Sequence, residues 1–253
     1  MVDVSEHQST VVTMWAHPRA LSTAFLRMMI ERGDTTVVHE PLVTLADFGS
    51  VRIRAVDDAA AEAGETVELD SASAVLAHLR ALGSRRPVFS KDTLEYRYAH
   101  LYEHPDELAD FHHVFIVRDP AKAIASHFAM KPTVARAEIG YEHQSELFDL
   151  MRATAVREPL VISAERLIED PAAVVAAFCD RVGLPFRPDA LQWEPQDRAE
   201  WRLTRQWHVD ATASSGFHAP EKQYTDTVEN NDLLRSYDQY HRPFYEHLVE
   251  HAL

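Results

Sequence analysis

The chain has one cysteine, Cys179, so no internal disulfide can form, and a reducing, cytoplasmic setting is expected. Its context, Ala176-Ala-Phe-Cys-Asp180, reads as a helix core position and favours a buried thiol over a nucleophile. No apolar run approaches the roughly 18 residues of a membrane span, so no membrane partner is expected. Residues 1–9 are polar, without a signal-peptide apolar stretch, and read as a frayed end. Positive charge is scarce: 25 Lys and Arg stand against 40 Asp and Glu, and the net charge of −15 argues against nucleic acid as a partner. A small anionic ligand is still compatible, because cations clustered in a cleft dominate the local field. The 15 histidines supply no His-Glu-x-x-His, and neither His100 with His104 nor His112 with His113 brings a convincing ligand set, so no zinc site is expected. Repeats and low-complexity tracts are absent. The acidic, alanine-rich stretch Asp57–Glu65 reads as a solvated helix or loop.

Apolar, β-branched runs alternate with helical patterns, the signature of an α/β fold with a central, mostly parallel sheet covered by helices on both faces. The candidate strands are 10–16, 35–39, 87–90, 112–117 and 159–163. Ala20, Leu21, Ala24, Phe25, Met28 and Met29 recur at helical spacing up to Gly33, and helices also fit 71–82, 95–103, 120–130, 136–157 and 171–182. Pro243 separates two closing helices, 231–242 and 244–252. The length suits one large domain, and residues 1–253 read as a single domain without a convincing boundary. Residues 193–229 fit no period and carry Trp193, Trp201 and Trp207, either as a lid or binding loop or as a segment pinned to the core by its tryptophans.

Two short basic segments a hundred residues apart carry the functional signal. In Thr13-Met-Trp-Ala-His-Pro-Arg-Ala-Leu-Ser-Thr-Ala-Phe25 an apolar run breaks at Pro18 and reopens as a helix, with Arg19, Ser22 and Thr23 at the turn. A helix amino terminus with a cation and hydroxyls beside it suits a phosphate, although Ser22-Thr23 alone could be an ordinary cap. An ATP-binding loop would need Gly-x-x-x-x-Gly-Lys-Ser/Thr, and both glycines and the lysine are missing. In Val114-Phe-Ile-Val-Arg-Asp-Pro-Ala-Lys-Ala-Ile-Ala-Ser-His-Phe128, Asp119-Pro120 suits an N-cap and first helical residue, and Arg118 and Ser126 can reach one phosphate from two sides. The bland alternative is an Arg118–Asp ion pair and a Ser126 bonded to its own helix.

Together the segments resemble the sulfotransferases that use 3′-phosphoadenosine-5′-phosphosulfate (PAPS). In that family a strand–turn–helix loop of the form Pro-Lys/Arg-Ser-Gly-Thr/Ser-Thr grips the 5′-phosphosulfate, and an Arg followed eight residues later by Ser grips the 3′-phosphate. Pro18-Arg19…Ser22-Thr23 and Arg118…Ser126 match both, and Ala164-Glu-Arg-Leu-Ile-Glu-Asp-Pro171 with Phe178-Cys-Asp-Arg-Val-Gly-Leu-Pro185 is similar to a third family stretch. The loop is like that of a bacterial group with Trp-x-x-Pro-Arg-x-x-Ser-Thr-Ala. The resemblance covers residues from about 10 to 190 and implies a P-loop-like sulfotransferase fold. The departures are Ala20-Leu21 in place of Ser-Gly, so that Leu21 must tolerate a tight turn, Ala164 at an aromatic position, and no late Arg-Lys-Gly element. Ser214-Ser-Gly-Phe217, with Ser215 and Gly216, and Lys222 are the nearest substitutes for that element.

The resemblance implies PAPS as co-substrate, no metal, and a small-molecule acceptor, with Arg19, Ala20, Leu21, Ser22, Thr23, Arg118, Ser126, Ser215 and Gly216 holding the nucleotide. It also places a basic residue, Lys91, beside the acceptor. Glu40 sits at the carboxyl end of the second strand, the edge where open α/β sheets bind ligands, and is the leading candidate for the general base. His39 and His208 compete with it, and Asp92 more weakly. A non-catalytic PAPS-binding protein and a nucleotide-dependent phosphotransferase stand as alternatives. The acceptor's identity and any homo-oligomeric assembly are left open.

Overall fold

The computed structural model describes residues 10–218 and 223–253, so residues 1–9 and Lys222 lie outside the described residues. The strands are β1 (Val11–Ala16), β2 (Thr36–His39), β3 (Val51–Arg54), β4 (Thr66–Leu69), β5 (Val88–Thr93), β6 (His112–Val117) and β7 (Leu160–Ser163). The helices are α1 (Ser22–Glu31), α2 (Pro41–Phe48), α3 (Asp58–Glu62), α4 (Ala72–Gly83), α5 (Ala99–Glu103), α6 (Pro120–Met130), α7 (Tyr141–Thr154), α8 (Ala164–Glu169), α9 (Pro171–Val182), α10 (Val209–Ala213) and α11 (Asp232–Val249).

Five strands form a parallel sheet in the order β2-β5-β1-β6-β7, while β3 and β4 pair antiparallel in a separate hairpin. Every residue of β1 is buried, because alternate side chains serve two cores. Val12, Met14 and Ala16 pack with Phe25 of α1 and with Val175 and Phe178 of α9, whereas Val11 and Trp15 pack with Leu79 of α4, Phe148 of α7 and Leu248 of α11. Helices on both faces leave only the sheet's ends open. After β1 the chain turns to β2 on one side of the sheet; after β6 it turns to β7 on the other. The loops leaving these two adjacent strands therefore diverge, and a crevice opens at the carboxyl edge between them.

The five expected parallel strands are all present, and Asp119 and Asp170 cap α6 and α9 through Ala121 and Ala173 N–H as their Asp-Pro pairs suggest. Cys179 is buried, and Arg32 donates to its sulfur. Some expectations need correction. The strand expected at 87–90 runs on to Thr93, because Lys91 and Asp92 are buried polar residues that periodicity does not flag. The helix expected over 95–103 shortens to α5, and that over 136–157 to α7. The latter is interrupted by Gly140 at φ 90 after a short 3₁₀ turn over Arg136–Ile139. Pro243 does not end a helix: α11 runs through it. The proline is exposed and so is Gln239, whose carbonyl loses its helical partner, so water can serve that oxygen. Buried Leu234, His241 and Leu248 hold the helix on both sides of the break.

Gly140 joins the fold to the crevice. A Cβ there would lie 2.8 Å from the Leu94 carbonyl oxygen, just beyond β5, and 3.1 Å from Pro18 Cδ, just beyond β1. A side chain also strains a backbone at positive φ. Gly140→Ala is expected to destabilise the protein by about 1–3 kcal/mol. Urea unfolding checks this, and a midpoint equal to wild type would show that the two loops do not depend on that close approach.

Candidate functional site

The turn after β1 is wound tightly. Arg19 and Leu21 both adopt left-handed backbone at φ 69, so Leu21 occupies the tight turn without a glycine. Leu21 stands at the amino end of α1 and supplies no side-chain cap. Neither Ser22 nor Thr23 acts as that cap; the Thr23 hydroxyl instead bonds His208 Nδ1 at 3.1 Å. The first turn of α1, its N–H groups uncapped by any side chain, thus lines the crevice beside a guanidinium.

Arg19 reaches across to the second junction. Its Nε donates to Ser126 Oγ (2.9 Å), one terminal nitrogen donates to the Trp207 carbonyl (2.8 Å), and the other pairs with the Asp210 carboxylate (2.9 Å). Ser126 is thus not spent on its own helix. Arg118 forms no ion pair among the described residues, and its guanidinium donates to the Arg19 carbonyl (3.2 Å). Asp119 caps α6 and binds Arg242 instead. Burial presses the Arg118 guanidinium below its ordinary pKa, so an approaching anion would favour its charged form.

The two turns are stitched together by buried polar groups. His17 is buried and neutral, its pKa lowered to about 3 chiefly by burial. Its Nδ1–H donates to the Pro18 carbonyl (2.9 Å), and its Nε2 accepts the Arg118 backbone N–H (3.1 Å). Tyr141 stacks on this imidazole at 3.9 Å and donates its hydroxyl to the Arg118 carbonyl (2.5 Å). Gln144 donates to the carbonyls of Trp15 and Ile116, tying the ends of β1 and β6.

The third group comes from β2 and β5, which place His39 beside Lys91 in register. Glu40, left-handed at φ 46, donates its N–H to the Lys91 carbonyl, and its carboxylate pairs with the Lys91 ammonium. Burial alone would raise the Glu40 pKa, but the His39 and Lys91 charges outweigh it and bring it to about 2. Because burial also lowers His39 to about 4, that imidazole is neutral near pH 7, and Lys91 is the cation that counts there. His39 Nε2 lies 3.6 Å from Glu40, and its ring packs edge-on to those of His208 and Trp201. His208 is bonded through Nδ1 to Thr23 and through Nε2 to Thr204, and burial and Lys91 lower its pKa to about 3. Asp92 accepts the N–H groups of Leu42 and Val43, capping α2. Burial pushes its pKa well up although those N–H groups pull the other way.

All three groups open into one cavity of about 400 Å³. Of the sequence-derived candidates, Arg19, Ala20, Leu21, Ser22, Thr23, Arg118, Ser126, Ser215, Gly216, Glu40 and Lys91 line it, whereas His39 stands behind Glu40 and does not. The tryptophan segment divides. Trp193 and Trp201 are buried in the core, while Trp207, His208, Asp210 and Ser214–Gly216 form a wall of the cavity. Among the described residues, the non-glycine positions with left-handed backbone, Arg19, Leu21 and Glu40, all line it too, so backbone strain gathers where the side chains converge. Sequence reasoning missed Asp210 and Glu95. Nothing local marks Asp210, since its role depends on the turn that brings it to Arg19; Glu95 could have been flagged as a carboxylate just past a strand's carboxyl end. It also missed that His39, Glu40 and His208 bring ligand-type atoms within 4.8 Å of one another. Lys91 already occupies Glu40 and two hydroxyls occupy His208, a poor setting for a second cation.

A family model described as a sulfotransferase domain matches residues 10–252. The chain is 28% identical over 233 residues to the branched-chain-amino-acid aminotransferase-like protein 2 of Arabidopsis thaliana, a match covering 88% of this chain and 39% of that protein. The like-named protein 1 matches at 28% identity with 40% of its length covered, so the chain spans about two fifths of the curated relatives it matches. Among solved structures, the sulfotransferase domain of the Synechococcus PCC 7002 olefin synthase superposes with a TM-score of 0.57 at 17% identity, covering 91% of this chain and 94% of that one. The sulfotransferase domain from the curacin biosynthetic pathway superposes with a TM-score of 0.54 at 14% identity, covering 92% and 96%. These likenesses show the shared fold.

The Glu40–Lys91 pair makes a stability prediction. Lys91→Met would strand an ionised, buried carboxylate and is expected to cost about 3–5 kcal/mol. The double change Glu40→Gln with Lys91→Met should cost clearly less in the same chemical denaturation series. Equal losses would mean that the pair does not act as a unit.

Proposed function

The chain belongs to the sulfotransferase domain family, and from that premise we propose that it transfers a sulfuryl group from PAPS to a hydroxyl or amine of a small-molecule acceptor, in line, without a metal and in the cytoplasm. The observation that carries this reading is the shared cavity of the two basic turns, joined by the Arg19–Ser126 hydrogen bond. A nucleotide phosphorylated at two positions needs two adjacent anion grips, and one phosphate needs only one.

In this reading the amino end of α1, with Ala20, Leu21, Ser22 and Thr23, takes the 5′-phosphosulfate. Arg118 and Ser126 take the 3′-phosphate, the guanidinium as a two-pronged donor. Arg19 lies between the two grips. Ser215 and Gly216, which also line the cavity, complete the nucleotide site in this reading. The acceptor then enters from the Glu40–Lys91 side, where Val43, Asp47, Thr93 and Glu95 form the lining. Its oxygen or nitrogen attacks sulfur, the bond from sulfur to the 5′-phosphate oxygen breaks, and the leaving phosphate takes the electron pair. Such a transfer asks for positioning and charge stabilisation rather than covalent chemistry. Lys91, Arg19 and the amides of the first turn supply the positive charge that a divalent ion would supply elsewhere. Glu40, ionised by its pairing, fixes the Lys91 ammonium at the cavity wall, and His39 backs it from the core side.

The expected result with the desulfated nucleotide, 3′-phosphoadenosine-5′-phosphate (PAP), is clear thermal stabilisation by PAP and PAPS and little by ATP or AMP. Arg118→Ala should weaken PAP binding about 10- to 100-fold in calorimetry, the scale of one or two charge-assisted hydrogen bonds, with an unchanged circular dichroism spectrum. Stabilisation by Mg-ATP instead would favour phosphoryl transfer. An unchanged PAP affinity in the variant would remove Arg118 from the 3′-phosphate site.

A further inference from the structure

We propose that Glu95 is the residue that takes the acceptor's proton; this rests on the PAPS reading above and goes beyond it in assigning the base. Among the described residues, the acids that line the cavity are Glu40, Asp47, Glu95 and Asp210. Three of them are committed. Glu40 is paired with the Lys91 ammonium, Asp210 with the Arg19 guanidinium, and Asp47 accepts the Tyr96 hydroxyl at 2.7 Å. Glu95 has no hydrogen bond or ion pair among the described residues, yet it is half-buried and faces the cavity from the turn that leaves β5, four residues beyond Lys91. A carboxylate brought to the reacting end of a cavity and given no structural task is free to accept a proton.

The surroundings set its basicity. Burial comes first, then the charges of Glu40 and Asp47, and together they raise the Glu95 pKa to about 7 against the weaker opposing pull of Lys91 and Lys131. Tyr96 and Tyr98 also face it, and both phenols are held neutral, their own pKa values pushed up. A base whose pKa lies near the working pH is present in useful amount and still holds a proton well, which is where general-base catalysis is most effective. Glu40 at about 2 is always ionised but holds a proton poorly, so Glu95 takes that role and Glu40 becomes the positioning residue for Lys91. The other candidates fail on geometry: His39 does not line the cavity, both nitrogens of His208 are engaged, and Asp92 caps α2.

The step balances without a further reactant. The acceptor O–H or N–H bond breaks with its proton passing to Glu95, the acceptor atom forms its bond to sulfur, and the sulfur–oxygen bond to the 5′-phosphate breaks with the electron pair leaving on that phosphate. Neutral Glu95 then loses the proton to solvent before the next turnover. Because the ionised form is the active one, the rate rises with pH through about 7 and levels off above it.

The test uses the full chain with PAPS as donor and two named acceptors that do not ionise over the range, water and benzyl alcohol, read as PAP released across pH 5 to 9. Wild type should show a single rising limb with its midpoint near 7. Glu95→Gln should lower the rate by about 100-fold or more and abolish the limb, with calorimetric PAP affinity within twofold of wild type; Glu95→Asp should retain a limb. A Glu95→Gln variant that keeps both rate and limb overturns the assignment, and so does a limb lost only in Glu40→Gln. Should neither acceptor turn over, the carboxyl ¹³C resonance lost in Glu95→Gln decides: a midpoint near 7 in the PAP complex supports the proposal, and one below 5 overturns it. A wild-type chain that fails to bind PAP in the same calorimetry would instead refute the donor assignment, a failure that the resonance titration of the free protein separates from this one.

Discussion

The hydrogen bond from the Arg118 backbone to His17 makes one site out of two loops. The residues it connects are 101 positions apart in the chain, and each ends an adjacent buried strand. It depends on a neutral imidazole, because a protonated ring has no lone pair to accept with. Burial holds the pKa at about 3, so His17 accepts throughout the physiological range. Tyr141 then holds the Arg118 carbonyl and Gln144 the two strand ends, so the first turn of α7 braces both basic turns from beneath. Gly140 lets that helix come close enough to do so.

On this brace the chain supports conformations that a free peptide would avoid. Left-handed backbone at Arg19, Leu21 and Glu40 costs on the order of 1–3 kcal/mol at each position, and only a surround that over-determines the loops can sustain it. The gain is directional. The turn after β1 aims Arg19 at Ser126, and the turn after β2 sets Glu40 against Lys91. Strain, buried cations and a sheet's diverging carboxyl edge coincide, and the family match and the solved sulfotransferase domains share this fold.

Most of the sheet was legible because its strands are buried on both faces and therefore read as continuous apolar runs. The two basic turns were legible because Pro18 and Asp119-Pro120 break those runs next to an arginine and hydroxyls. The hairpin of β3 and β4 was missed because each strand is only four residues long: Val51-Arg52-Ile53-Arg54 alternates too briefly to stand out, and in β4 both Val67 and Glu68 face solvent. The polar tail of β5 was missed because Lys91 and Asp92 are buried by partners from β2 and α2, a fact of tertiary structure alone. The roles of Asp210 and Gln144 share that cause: each is defined by a contact to residues more than a hundred positions away.

The Arg19–Asp210 contact bears on how a basic cleft can exist in a chain of net charge −15. The guanidinium at the heart of the cleft already has its counter-ion, donated by α10 from the wall opposite. An anion that settles on Arg19 trades places with a carboxylate instead of meeting a bare cation, so little net charge is added to the cleft. Selectivity then shifts from attraction to exchange: loosely held anions such as chloride have no advantage over Asp210, and only a ligand that engages both turns together recovers more than it displaces.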